Sequence, residues 1–172
     1  MSRKTRPIRI EGDVAYITLT KGYEAVIDAA DVPLVEGYVW HAIPRKHTVY
    51  AQHTTPLPNR RAVLLHRLIM GEPAGMNVDH RDGDGLNNRR RGDAGNLRIA
   101  TVSQNRHNTR LLDRNTSGFK GVTWDKSRGK WKAMICLNDK RVNLGRFDDL
   151  EAAHAAYVAA SKSLHGEFVR AA

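Results

Sequence analysis

Asp79 and His80 stand side by side ahead of the polar loop RDGDGLNNRRRGDAG, with Asn96 directly after it and Asn105 and His107 farther along. An aspartate can ligate a hard divalent cation, an asparagine carbonyl can add a second oxygen, and water or phosphate can fill most remaining positions. A histidine, with an ordinary pKa near 6.5, can take a proton from water at neutral pH. Phosphodiester cleavage needs both parts, a cation to neutralise developing charge and a base to generate hydroxide. Taken singly, an Asp-His pair is far more often a turn pair than a catalytic one.

The elements that must position these residues follow from patterning. NVDH reads as a short strand, NLRIAT as a second, and VSQNRHNTR as a polar helix carrying Asn105 and His107. Period-two alternation sends Asp79 and His80 to opposite sides unless the strand breaks there. Upstream, IRIEGDVAYITLT alternates about Gly12-Asp13 as a hairpin, DAADVPLVEGY reads as a short helix capped by Asp28 or Asp31, and VWHAI and TVYAQHT read as strands. RAVLLHRLIMG has a helical pattern, stopped by Gly71 and Pro73. Asp82 and Asp84, with Gly83 and Gly85, read as turn residues, since no glutamate completes a calcium loop. Arg89, Arg90 and Arg91 are either phosphate contacts or solvated cations. His41, His47 and His53 share no ligand spacing and receive no function.

The ordered series LHRLI, VDHRDGDGLNN, GNLRIAT and QNRHN, over about residues 64–110, resembles the HNH endonucleases of the phage and intron-encoded homing type. The resemblance implies a ββα-metal fold, two strands and a helix gripping one divalent cation, Mg²⁺ or alternatively Mn²⁺. It implies His80 as general base and Asn96 as the residue holding the loop so that the His80 ring is oriented. Asp79 and Asn105 are the implied cation ligands, with His107 the rival of Asn105. RRRGDAG between Asn88 and Asn96 is longer than the family's usual connection. His66 resembles the family's LHR element, although a structural place for it is at least as good a reading.

Charge points the same way. The chain of 172 residues carries 28 Lys+Arg against 18 Asp+Glu, a formal net charge of +10. Between Arg106 and Arg146 stand eleven basic residues against Asp113, Asp125 and Asp139, interleaved with Phe119, Trp124 and Trp131. Clustered cations among aromatics fit a nucleic-acid surface. In GKWKAMICL, Trp131, Ala133, Ile135 and Leu137 fall on one face, and Lys130, Lys132, Met134 and Cys136 on the other. FKGVTWD and KRVNLGRF read as its neighbouring strands. A helix from Asp149 to about Leu164 aligns Leu150, Ala153, Tyr157, Ala160 and Leu164 near one side.

Residues 117–168 resemble the plant ethylene-response-factor (Apetala-type) DNA-binding domain, through F-K-G-V, G-K-W-x-A-x-I, R-V-x-L-G-x-F and E-A-A-x-A-A-Y. The resemblance implies a three-stranded antiparallel sheet on one helix, with the open sheet face in the DNA major groove. Lys120, Thr123, Lys126, Arg128, Lys130, Lys132, Met134, Arg141 and Asn143 are the expected DNA contacts, the cations meeting phosphates. Cys136 occupies a further such position. The plant pattern has arginine at the Thr123 and Cys136 positions and tryptophan at that of Asn143, so plant-type sequence specificity is not expected.

Composition bounds the rest. No apolar run approaches the roughly 18 residues of a membrane span, and the basic start MSRKTRPIRIEGD has no apolar stretch behind it. The single cysteine, Cys136, excludes an intramolecular disulfide framework and a multi-cysteine zinc site. The expectation is an α+β chain: a β-rich extension over 1–60, an HNH motif over 61–112 and the sheet-and-helix module over 113–172. It is a metal-dependent endonuclease of double-stranded DNA, phage- or mobile-element-encoded, cytoplasmic, monomeric or homodimeric, with no membrane partner. The competing readings are a non-catalytic DNA-binding regulator that retains the ββα scaffold, and an RNA-binding protein, which has only the basic surface in its favour.

Overall fold

The computed structural model describes residues 5–108, 111, 115–137 and 140–165. The chain is α+β, built from small antiparallel sheets and few helices, and divides into two compact units, Met1–Thr101 and Val102–Ala172.

In the first unit, β1 (Ile8–Glu11) and β2 (Val14–Thr18) form the hairpin that the alternation predicts, and β3 (Glu24–Asp28) adds a third strand. The stretch expected to be one helix is shorter, a 3-10 turn over Ala29–Asp31 leading into α1 (Val32–Val35). A second sheet orders β4 (His41–Pro44), β5 (Val49–Thr54) and β6 (Ala62–Leu64). The helical pattern of RAVLLHRLIMG is thus split. Its first residues pair with β5, Val63 opposite His53, and only Leu65–Ile69 coil as α2. β7 (Asn77–His80) and β8 (Leu97–Ala100) make a two-stranded ribbon. One apolar cluster runs through the unit, with Ile17, Ile27, Val35 and Trp40 joined to Leu65, Ile69, Val78 and Leu97. The expected extension and the strands β7 and β8 therefore share a core. Trp40 satisfies its indole N–H on the Val35 carbonyl at 3.0 Å, as a buried indole requires.

The second unit begins with α3 (Val102–His107) and continues with β9 (Val122–Asp125), β10 (Lys130–Leu137), β11 (Lys140–Phe147) and α4 (Leu150–His165). β10 is the central strand. Ala133 and Ile135, two apart on β10, are buried with Val122 of β9 and with Ala153 and Tyr157 of α4. A register shift after Ala133 leaves it opposite Gly145 and Met134 opposite Asn143. Gly121 must be glycine: its φ is +70°, and a Cβ there would lie 2.3 Å from the Tyr157 ring. Among the described residues no helix is long and apolar enough to cross a membrane.

Candidate active site and nucleic-acid interface

His80 ends β7 opposite Leu97, and Asp79 lies opposite Arg98. Both are nearly inaccessible, at 6% and 5% exposure. Strand β7 is continuous through the pair, and in a regular strand successive side chains face opposite ways. Asp79 accepts on Oδ2 from the Arg98 guanidinium, at 2.8 Å from Nε and 2.7 Å from the terminal nitrogen. A buried carboxylate is tolerable only when paired and hydrogen-bonded in this way.

The His80 ring sits among other groups. Its Nε2 is 3.3 Å from Oδ1 of Asn88. The His66 ring meets it edge-on with centroids 4.9 Å apart, and the Tyr50 ring lies 5.8 Å away. Burial pushes the His80 pKa below its ordinary value, while the Asn88 hydrogen bond and the Asp82, Asp79 and Asp84 carboxylates favour the charged form. The imidazole is therefore neutral at pH 7, with three carboxylates biased to support the cation that forms when it takes a proton. His66, 6% exposed, is pushed down to about 3 by burial and then by the charges of His80 and Arg67. Its Nδ1 has no hydrogen-bond partner among the described residues. Burial also raises the Tyr50 hydroxyl, with Asp79 adding to the effect.

Asn96 ties the loop together. Its Nδ2 donates to Asp82 Oδ1 at 2.9 Å and to the Asn87 carbonyl at 2.8 Å, and its Oδ1 accepts from the Asp82 N–H at 3.0 Å. Asp82 and Asp84 are turn formers, accepting from the backbone N–H two residues ahead at 2.7 and 3.0 Å. The loop also seats on β5, where Gly85 leaves no room for a Cβ: one would lie 2.5 Å from the Val49 carbonyl oxygen. The three arginines of the inserted stretch are not simply solvated. Arg89 donates to Asp28 at 2.9 Å and to Asp13 at 2.6 Å, and Arg90 makes a two-pronged pair with Asp31 at 2.7 and 2.9 Å. Arg91 reaches Asp31 at 3.1 Å. Burial alone would raise the Asp31 pKa, but the hydrogen bonds from Arg90 and Arg91 hold it below the ordinary carboxylate value.

Asn105 lies half-buried on α3, in the second unit. The side chain of His107 lies outside the described residues. Asp79 and Asn105 are both hard oxygen donors of the kind that a Mg²⁺-sized cation takes. Among the described residues no three His, Cys, Asp or Glu side chains gather into a metal cage. Asn88 and the His66 neighbourhood were not legible as site residues. The sequence signals were an asparagine in a polar loop and a histidine on a helical pattern.

In the second unit the ladder sets Thr123 opposite Lys132 and Lys132 opposite Arg146, with Lys130 opposite Asp125. Met134 faces Asn143, and Cys136 faces Arg141. Directly paired antiparallel residues share a face, so Thr123, Lys130, Lys132, Met134, Arg141 and Asn143 lie on the face opposite the buried Ala133 and Ile135. Lys126 and Arg128 lie in the β9–β10 turn and Lys120 just before β9. Arg146 joins the face and is a cation that the expected contact set omitted. Its Nε is 2.8 Å from Asp125 Oδ2, and this bond, with that from Ser127, holds the Asp125 pKa well below the usual carboxylate range. Lys130 reaches Asp148 at 3.0 Å in an exposed pair.

Comparisons with known proteins agree on both parts. Residues 47–107 match the family model of an HNH endonuclease, and residues 117–167 that of an AP2 domain. The chain is similar to Protein 3.8 of Escherichia phage T7, 36% identical over 98 residues that make up 57% of this chain and 77% of that protein. No solved structure gives a significant match.

Proposed function

We propose that this chain, which belongs to the HNH endonuclease family and joins an AP2 domain to its nuclease domain, hydrolyses phosphodiester bonds in double-stranded DNA. His80 is the general base. Asp79 and Asn105 are the residues that would hold one divalent cation, Mg²⁺ or alternatively Mn²⁺. The observation that carries the reading is the buried imidazole of His80, beside Asp79 on β7, with Nε2 3.3 Å from Asn88 Oδ1 and its loop closed by Asn96. His80 removes a proton from an attacking water, and Asp82, Asp79 and Asp84 stabilise the resulting imidazolium. The cation, when bound, neutralises charge on the phosphate and on the leaving 3′-oxygen. The C-terminal unit is a three-stranded sheet on α4 that anchors the protein, its face of Lys130, Lys132 and Arg141 meeting phosphates, which positions without reading bases. The phage relative supports a phage- or mobile-element-encoded protein; that it is of the homing type and acts in the host cytoplasm is part of the proposal itself. One site of this kind cuts one strand, so a monomer nicks and a homodimer can break both.

One observation favours a second reading. The Arg98–Asp79 pair occupies the carboxylate as a structural ion pair would, which suits a DNA-binding regulator that keeps the scaffold without the chemistry. His80→Ala separates the two. In a nuclease it lowers the cleavage rate about 10²–10⁴-fold and leaves the DNA Kd within twofold, since His80 is not a phosphate anchor. Undiminished cutting by that variant removes His80 from the mechanism.

A further inference from the structure

The amide of Asn88 is fully buried, and its orientation is decided by what surrounds it. One end of the amide lies 2.9 Å from the Leu86 carbonyl oxygen and 3.5 Å from that of Gly85. Carbonyl oxygens only accept, so this end is the NH₂ group. The other end, Oδ1, is thereby turned to His80 Nε2 at 3.3 Å. An amide oxygen only accepts, so Nε2 must carry the proton. In a neutral imidazole with Nε2 protonated, Nδ1 bears the lone pair.

The backbone on either side of Asn88 is fixed by the N-terminal sheet. The Val26 N–H of β3 donates to the Leu86 carbonyl at 2.8 Å, and the Asn88 N–H donates back to the Val26 carbonyl at 2.7 Å. Asp28, at the end of β3, accepts from the Arg90 and Arg91 N–H groups at 2.8 and 3.0 Å. β3 therefore grips the loop just before Asn88, at Asn88 and just after it.

We propose that Asn88 is a positioning residue for the DNA hydrolysis assigned to His80: clamped by β3, its carbonyl fixes His80 as the Nε2–H tautomer and so makes Nδ1 the atom that takes the proton from water. The inference rests on the nuclease reading for its consequence, but the tautomer itself does not. It also gives β3 a task, since Val26 holds the Leu86 carbonyl that accepts from the Asn88 amide.

The test is ¹⁵N NMR of the imidazole nitrogens of His80 in the full-length protein, recorded without metal or DNA, alongside single-turnover cleavage and DNA affinity. The wild-type spectrum is expected to show a pyrrole-type Nε2 and a pyridine-type Nδ1, and needs no variant to fold. Asn88→Ala is expected to admit the Nδ1–H tautomer. It should slow single-turnover cleavage about 10- to 100-fold, the usual scale for losing a partner that orients a site residue, with DNA Kd unchanged. Asn88→Asp keeps an acceptor in place while losing the donor to Leu86. It is expected to keep the Nε2–H tautomer and to cleave faster than Asn88→Ala, whereas a purely structural asparagine would leave both variants equally impaired. A wild-type spectrum with Nδ1 protonated overturns the proposal, as does an Asn88→Ala protein with unchanged tautomer and rate. A wild-type protein that shows the expected tautomer, loses it in Asn88→Ala and yet cuts no DNA upholds the positioning of the ring and overturns the nuclease reading instead.

Discussion

Replacing His66 by leucine should make the first unit less sensitive to acid. The His66 ring is buried against His80 and Tyr50, and its pKa falls from 6.5 to about 3. In the unfolded chain it titrates near 6.5, so below that pH the unfolded state binds a proton that the folded state refuses. Stability therefore falls as pH falls, from about 6.5 down toward 3, and is unaffected by this group above 6.5. Each pH unit in that window costs about 1.4 kcal/mol, so the drop from pH 7 to pH 5 costs about 2 kcal/mol through His66 alone. His80 has the same sign of shift and is present in both proteins, so the difference between them reports His66 together with its coupling to His80. The assay is urea denaturation at pH 7 and pH 5, followed by the Ile27 and Ile69 methyl NMR signals, which report on the first unit. Wild-type protein should lose about 2 kcal/mol more than His66→Leu over that interval. Equal losses in the two proteins would refute the assignment of a neutral, acid-labile His66.

Asp28→Ala removes the partner of Arg89 and the acceptor for two backbone N–H groups. It should destabilise the first unit by about 3–5 kcal/mol, the scale for breaking a buried pair, read by the same methyl signals; a loss under about 1 kcal/mol would show that Asp28 does not hold the loop. Neutralising Lys130, Lys132 and Arg141 together to glutamine should flatten the plot of log K against log salt by up to about 2.7, at roughly 0.9 per phosphate contact. A salt titration of DNA binding checks this. An unchanged slope would return the sheet face to an ordinary solvated surface.

Local pattern made some elements legible and distance hid others. The β1–β2 hairpin follows from alternation about turn residues, the pairing of β7 with β8 is what the family resemblance implies, and Ala133 and Ile135 are buried together as a period of two requires. β3 escaped because EAVID is five residues long and runs straight into a stretch with helix-capping aspartates. Those aspartates proved to be ion-pair acceptors for arginines about sixty residues away, Asp28 for Arg89 and Asp31 for Arg90. Pairing across such a span leaves no periodic trace in a single sequence. RAVLLHRLIMG has helical spacing throughout, yet the free edge of β5 takes Ala62–Leu64 as a strand, a tertiary override of local propensity. The Asp-His-Asn-Asn series stands out in the sequence only through its ordered resemblance to the HNH pattern. The contact of Asn88 with His80 could not be read from the sequence, because it depends on which way one amide is turned.

The measurement that bears most directly on the central claim is incubation of the full-length protein with supercoiled plasmid, with Mg²⁺ and with chelator, beside His80→Ala. The account predicts nicked or linear product from wild-type protein in Mg²⁺ only, and neither from His80→Ala at equal DNA occupancy. Supercoiled plasmid left intact by bound wild-type protein across Mg²⁺ and Mn²⁺ would contradict it and leave a DNA-binding regulator built on the same scaffold.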